Sequence, residues 1–213
     1  MTHITFIDLG LTNFKRVWQF QKDLVAHRKY NGGNDVLIFC EHEPVITLGR
    51  GSREENLLCE PEQVKEKGID FVKIDRGGDV TFHAPGQLIA YPIFDLKKRS
   101  RDIRLFMRDL EKVVINTLLF YNIESHRRAT KRGVWVENKK ICSLGIGVSG
   151  WFSYHGISLN VNNDLAFFKY IKPCGLEARV MTSLSEVSGH KKNMDGVKKI
   201  LQKEFVKVFD YHF

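Results

Sequence analysis

Four polar residues in this chain combine reactive chemistry with a suggestive setting: Cys174, Lys140, Arg76 and His83. Cys174 sits in Lys172-Pro173-Cys174-Gly175, where proline stiffens the chain before the thiol and glycine leaves space after it. A thiol with a pKa of about 8.5 is mostly protonated near neutrality, so it becomes a strong nucleophile only beside a positive charge. The competing reading is a small buried hydrophobe, the usual fate of a free cysteine. Lys140 opens the run Ile141-Cys142-Ser143-Leu144-Gly145-Ile146-Gly147-Val148. A lysine at a strand end is commonly solvated, and local sequence leaves that alternative open. Arg76 and His83 belong to R-G-G-D-V-T-F-H-A-P-G-Q-L-I-A-Y-P, residues 76–92. There Gly77 and Gly78 can take positive φ and admit a ligand to bare backbone.

Gly145 and Gly147 fall on one face of the run that follows Lys140, and Gly156-Ile157-Ser158 adds a gap in the next strand. Such a trough takes either an acyl chain or another backbone. Cys40 and Cys142 read as packing residues within strands, and Cys59 has no legible context. The four cysteines form no C-x-x-C pair and the eight histidines are dispersed, so neither a disulfide framework nor a metal site is expected. A G-x-S-x-G elbow, a P-loop and a G-x-G-x-x-G fingerprint are all missing, and no cofactor is expected.

These residues must be held by a mixture of strands and helices. Thr2 to Asp8 alternates as a strand, and Phe14, Val17, Trp18, Gln21, Leu24 and Val25 recur at helical spacing up to Asn31-Gly32-Gly33. Val36 to Cys40, Val45 to Leu48 and Phe71 to Asp75 read as strands, with a short helix from Pro61 to Gly68 between the last two. Residues 79–82 and 87–92, joined by Ala84-Pro85-Gly86, read as a hairpin. Asp102 caps a long helix with its apolar stripe from Ile103 to Tyr121. Strands follow at 133–136, 140–148 and 151–161, then short helices at 165–171 and after Thr182 or Ser183, where Glu186 is placed for a capping box. A final amphipathic helix covers 196–209. The pattern predicts an α/β (α+β) fold: one domain, residues 1–213, with a mixed β-sheet flanked by helices.

The net charge of +8, from 33 Lys+Arg against 25 Asp+Glu, favours acidic partners. Basic residues cluster at Lys97-Lys98-Arg99-Ser100-Arg101 and at Arg127-Arg128 with Lys131-Arg132, outside any nucleic-acid motif with stacking aromatics. No nucleic acid is expected as a partner. There is no apolar run of 18 residues and no signal-peptide pattern, so no membrane association and a cytoplasmic location are expected.

Taken together, the motifs resemble the lipoyl(octanoyl) transferase family. The matching pieces are Glu41-His42-Glu43-Pro44 through Arg50, the stretch 76–92, Gly133 to Gly147, and Tyr154-His155-Gly156-Ile157-Ser158-Leu159-Asn160-Val161 on through Pro173-Cys174-Gly175 and Thr182-Ser183-Leu184. Ala84, Phe82 and Cys142 depart from the family's usual glycine, tyrosine and alanine. The resemblance implies a biotin/lipoate ligase-like fold and transfer of an octanoyl group from octanoyl-acyl carrier protein to a lysine. The implied acceptors are lipoyl domains of 2-oxoacid dehydrogenase complexes and the glycine cleavage H protein. It implies that Cys174 carries an acyl-thioester and that Lys140 lowers its pKa. The implied acyl site is Arg76, Gly77, Gly78, Asp79, Val80, Thr81, Phe82, His83, Ser143, Leu144, Gly145, Gly156, Ile157 and Ser158. An ATP-dependent lipoate or biotin ligase of the same fold is the alternative.

Overall fold

The computed structural model describes residues 3–211, with the side chain of Cys174 outside the description, as is Thr2 of the expected first strand. Alternation produces β1 (Ile4–Thr12), and Asn13 then starts α1 (Phe14–Asn31) by accepting the Lys15 N–H on its side chain. β2 (Asp35–His42) and β3 (Val45–Leu48) follow, then α2 (Pro61–Lys65) and β4 (Asp70–Lys73). Next come β5 (Val80–His83), β6 (Gln87–Ile93) and α3 (Ile103–Phe120). The Asp102 side chain accepts from Arg104 and Leu105 at 2.8 and 3.0 Å, a cap worth about 1 kcal/mol. The remainder is β7 (His126–Arg127), β8 (Val134–Val136), β9 (Lys139–Ser149), β10 (Phe152–Asn160), α4 (Leu184–Ser188) and α5 (Met194–Val208).

Seven strands form one sheet in the order β1-β2-β6-β10-β9-β8-β7, and β4-β3-β5 form a second. Only β1–β2 is parallel in the large sheet, and only β3–β4 in the small one, so both are mixed. Helices α3 and α5 cover one face of the large sheet through Phe106, Leu110, Val114, Leu201 and Phe205. Helix α1 covers the other with Val17 and Val25 against Ile38, Ile89 and Tyr91. A separate apolar cluster, including Ile46, Val64, Ile69, Phe82, Phe168 and Ile171, backs the small sheet.

The expected 79–92 hairpin does not form. β5 pairs with β3 in the small sheet, whereas β6 pairs with β2 on one side and β10 on the other. With both of its edges occupied, β6 has no ladder to offer β5. The turn between them is pinned from elsewhere. The Gly86 N–H donates to Glu41 Oε2 at 2.6 Å, and its carbonyl accepts from Asn162 at 2.8 Å. Gly86 has φ +88°, and a Cβ there would stand 2.6 Å from the Asn163 nitrogen, so only glycine fits. The capping box at α4 is half formed. Ser183 accepts from the Glu186 N–H, but the Glu186 carboxylate takes its hydrogen bond from Thr182 Oγ1 at 2.7 Å instead of the cap's backbone.

Candidate active site

The division of β5 and β6 between two sheets opens a cleft between those sheets. Its empty space totals about 520 Å³, including solvent at the mouth. Arg76, Gly78, Asp79, Val80, Thr81 and His83 form one wall, and Ser143, Leu144, Gly145, Gly156, Ile157 and Ser158 the other. Twelve of the fourteen residues expected at the acyl site thus face one space. Gly77 instead lines a larger, shallower basin beside the cleft. Phe82 lines neither. Alternation along β5 turns its ring outward into the small sheet's apolar cluster, stacked on Phe167 at 5.2 Å.

The glycine loop after β4 is stitched on both sides. The Gly77 N–H donates to Ile146 of β9 at 2.9 Å, while the Arg50 and Gly51 N–H groups donate to the Arg76 and Gly78 carbonyls at 3.0 Å. Gly78 takes the positive φ, 92°. Buried Arg76 donates from Nη2 to the Thr47 hydroxyl at 3.0 Å and to the Thr47 carbonyl at 3.2 Å. The presumed trough in β9 is filled by protein. A Cβ on Gly145 would lie 2.9 Å from the Gly77 carbonyl oxygen, and one on Gly147 would strike the Tyr154 ring. Gly156 abuts the Ala90 carbonyl of β6. These glycines let backbones and a ring approach, the second of the two uses the spacing left open.

His83 and His155 line the cleft, with His42 packed behind His83. His83 Nδ1 lies 2.7 Å from Gln87 Oε1, so the neutral ring carries its proton on Nδ1. Burial, helped by the neighbouring His42, pulls the His83 pKa down to about 3. His42 bonds the Thr12 carbonyl through Nδ1 and the Tyr91 hydroxyl through Nε2, at 3.1 and 2.8 Å; burial lowers its pKa to about 4. His155 is held by Asp75, with Nε2 to Oδ1 at 3.1 Å, and burial keeps its pKa below the ordinary value. Phe14 lies among all three rings, 5.1 to 6.4 Å from their centres. Sequence reading missed Phe14, Tyr91 and His155 as cleft residues. His155 directly precedes the Gly156 gap, and that adjacency was the available signal.

Where the cleft meets the basin lies the turn Pro173–Gly175. Buried Pro173 belongs to the cleft wall, and Lys172 and Gly175 to the basin. The turn is anchored by Asn56, also unanticipated, whose carbonyl accepts the Lys172 N–H at 2.7 Å while its Nδ2 donates to Asp79 Oδ2 at 2.5 Å. The expected nucleophile, the Cys174 thiol, lies outside the described residues. Lys140 is buried and lines neither cavity. A Cβ on Gly133 would lie 2.5 Å from Lys140 Cε, so that glycine makes room for the stem. The Lys140 carbonyl accepts from Thr182 at 3.0 Å, which fastens the chain returning from Cys174 to the start of β9. Cys142 and Cys40 are buried, and burial pushes both thiols well above their ordinary pKa. The described residues contain no cluster of metal-ligating side chains.

A narrow cleft with largely apolar walls, edged by a proline-cysteine-glycine turn, is thus set between the two mixed sheets of this α/β fold. The chain belongs to the lipoyl protein ligase A/B catalytic domain family, whose model matches residues 13–206. It is 41% identical to an octanoyltransferase of Solibacter usitatus, covering 95% of this chain and 91% of that protein. It is 42% identical to an octanoyltransferase of Dictyoglomus thermophilum, covering 93% of this chain and 84% of that protein. Among solved structures, lipoate-protein ligase A bound with ATP superposes with a TM-score of 0.80 at 16% identity, covering all of this chain and 87% of that one. Biotin protein ligase from Aquifex aeolicus, complexed with biotin and ATP, gives 0.57 at 13% identity, covering 99% of this chain and 71% of that one. At those identities the two structures share the fold alone.

Proposed function

We propose that this chain transfers an octanoyl group from octanoyl-acyl carrier protein to a lysine of lipoyl domains, including those of 2-oxoacid dehydrogenase complexes and the glycine cleavage H protein. The observation that carries this reading is the seat of the Pro173–Gly175 turn, with one flank in the apolar cleft and the other on the open basin. A residue at that junction meets an acyl chain from one side and a visiting protein from the other. The names of the curated relatives supply the acyl group.

The chemistry follows from the thioester. The Cys174 thiolate attacks the thioester carbonyl, the tetrahedral adduct collapses, and the carrier leaves as its thiolate. The acceptor lysine, as the free amine, then attacks the acyl-Cys174 thioester. Cys174 departs as thiolate, the new amide forms, and one proton is lost from nitrogen. Thioester exchange is nearly balanced and amide formation is downhill, so ATP is not needed. The ammonium of Lys140 would favour the thiolate over the thiol. An eight-carbon chain laid in the cleft would contribute several kcal/mol, at about 0.8 kcal/mol per buried methylene.

Intact-mass spectrometry after mixing with octanoyl carrier protein tests the scheme without ATP. The expected result is one octanoyl increment, mapped to Cys174 and missing in Cys174→Ala. Lys140→Ala should keep its fold and acylate at least tenfold more slowly. Modification of a lipoyl domain that needs ATP, and proceeds without the adduct, would instead make the chain a ligase.

A further inference from the structure

We propose that the basin beside the cleft is the docking face for the acyl donor, an acidic carrier protein that presents its thioester on a phosphodiester-tethered arm. This rests on the transfer reaction proposed above and assigns the surface that serves it. Three separate segments send exposed cations to the basin: Arg50 and Arg53 after β3, Lys131 and Arg132 before β8, and Lys172 before the cysteine turn. Arg53 has an exposed ion pair with Glu55 at 3.5 Å. Among the described residues, no carboxylate lies within ion-pair distance of Arg50, Lys131, Arg132 or Lys172. Exposed Ile103 and buried Met107, from the start of α3, give the basin an apolar patch. Gly78, Asp79, Leu144 and Gly145 line both basin and cleft, so an arm entering from the basin reaches the acyl cleft directly.

The other basic cluster is differently employed. Lys97 stands 4.8 Å over the Phe152 ring, and Arg101 6.0 Å over Trp151. Arg99 lies 4.7 Å over Tyr211 and 3.7 Å from Asp35. Arg128 likewise stacks on Trp135 at 4.3 Å and bonds Asn138. Those cations hold the fold, whereas the basin cations face solvent around a substrate entrance. A positive rim of that kind raises the encounter rate with an acidic partner and does so less as salt screens it.

The test compares two donors, octanoyl carrier protein and the small uncharged thioester of octanoate with N-acetylcysteamine. The variants are the triple R53E/K131E/R132E and, as control, K98E. In the unmodified enzyme, salt should lower kcat/KM for the carrier donor much more than for the small thioester. The triple variant should lower the ratio of carrier to small-thioester kcat/KM about tenfold or more, and K98E should leave that ratio in place. An equal fall with both donors would assign these residues to the catalytic geometry and overturn the docking face. A fall confined to the second half-reaction, from pre-acylated enzyme to lipoyl domain, would give the basin to the acceptor and overturn the donor assignment. If the unmodified enzyme is acylated by neither donor, the transfer reaction itself fails, a result distinct from both.

Discussion

Asn56 Nδ2 donates to Asp79 Oδ2 at 2.5 Å, and the same residue's carbonyl accepts the Lys172 N–H at 2.7 Å. The glycine loop on one side of the cleft and the cysteine turn on the other are therefore joined through one buried residue, the loop by its side chain and the turn by its backbone carbonyl. Truncating Asn56 to alanine keeps the carbonyl bond to Lys172 but removes the donor to Asp79, at about 1–3 kcal/mol. Asn56→Ala should lower the unfolding free energy by that amount and slow acylation of Cys174, while Asn56→Asp, which sets two carboxylates face to face, should be worse than alanine. Urea melts together with acylation rates check this, and a wild-type rate in Asn56→Ala would remove the tie from the active geometry.

Acid should weaken the fold before most carboxylates titrate. His42 and His83 have folded pKa values of about 4 and about 3, against about 6.5 in the unfolded chain. A depressed histidine pKa means that the unfolded chain binds more protons below 6.5, so stability falls as pH drops from 6.5 toward the folded values. At pH 5 each histidine costs about 2 kcal/mol relative to pH 7. His155, shifted the same way, adds to the loss. Asp75 is depressed too, and its contribution is present above the ordinary carboxylate range and lost only at lower pH, outside this window. Urea melts at pH 7 and pH 5 should differ by several kcal/mol, and His83→Gln should flatten the dependence by about one proton. Equal midpoints at the two pH values would contradict the neutral, buried histidines.

Asp75 gathers three donors: Trp18 Nε1 and His155 Nε2 at 3.1 Å on one oxygen, and Tyr154 OH at 3.0 Å on the other. The bond from His155, with Tyr154 assisting against partial burial, holds the carboxyl below its usual pKa. Reciprocally, Asp75 supports protonation of His155 against the desolvation that lowers its pKa. Asp75→Asn should therefore lower the His155 pKa further and leave the ring neutral to more acidic pH. Ring-resonance NMR titration of both proteins reads this directly, and an unmoved or raised His155 pKa would refute it.

What the sequence disclosed and what it hid follow from the range of the interactions. The strand and helix periods, the cap at Asp102 and the glycine turns are local, and the structure keeps them within a few residues. The placement of β5 and β6 in different sheets is not local. Ala84-Pro85-Gly86 is compatible with a hairpin, and the groups that unfold it, Glu41 and Asn162, stand 45 and 76 residues away. Glycine spacing in β9 announced a close approach without saying what approaches. The Gly77 carbonyl, the Arg76 side chain and the Tyr154 ring are brought there by the pairing of β9 with its neighbours. Phe14 reads from its period as an ordinary helix residue, and nothing near it in sequence brings three histidines to its ring.

That position makes Phe14 a candidate for the end stop of the proposed acyl cleft. Gly78, Asp79, Leu144 and Gly145 mark the mouth, since they also line the basin, whereas Phe14, His83, Tyr91 and His155 line the cleft alone. His83, Tyr91 and His155 are each tied by a hydrogen bond, and Phe14 is the apolar member, backed by Val45, Val72 and Ile74. Phe14→Ala should deepen the cleft by room for about two carbons, at a stability cost of about 3–5 kcal/mol. Each extra buried methylene is worth about 0.8 kcal/mol, about fourfold in binding. The ratio of kcat/KM for decanoyl over octanoyl donor should then rise about tenfold, and Phe14→Leu should give a smaller rise with less damage to the fold. Because a ratio of two substrates on one preparation is independent of how much of the variant is folded, loss of stability cannot mimic the shift. A ratio unchanged in both variants would place the end of the chain elsewhere in the cleft.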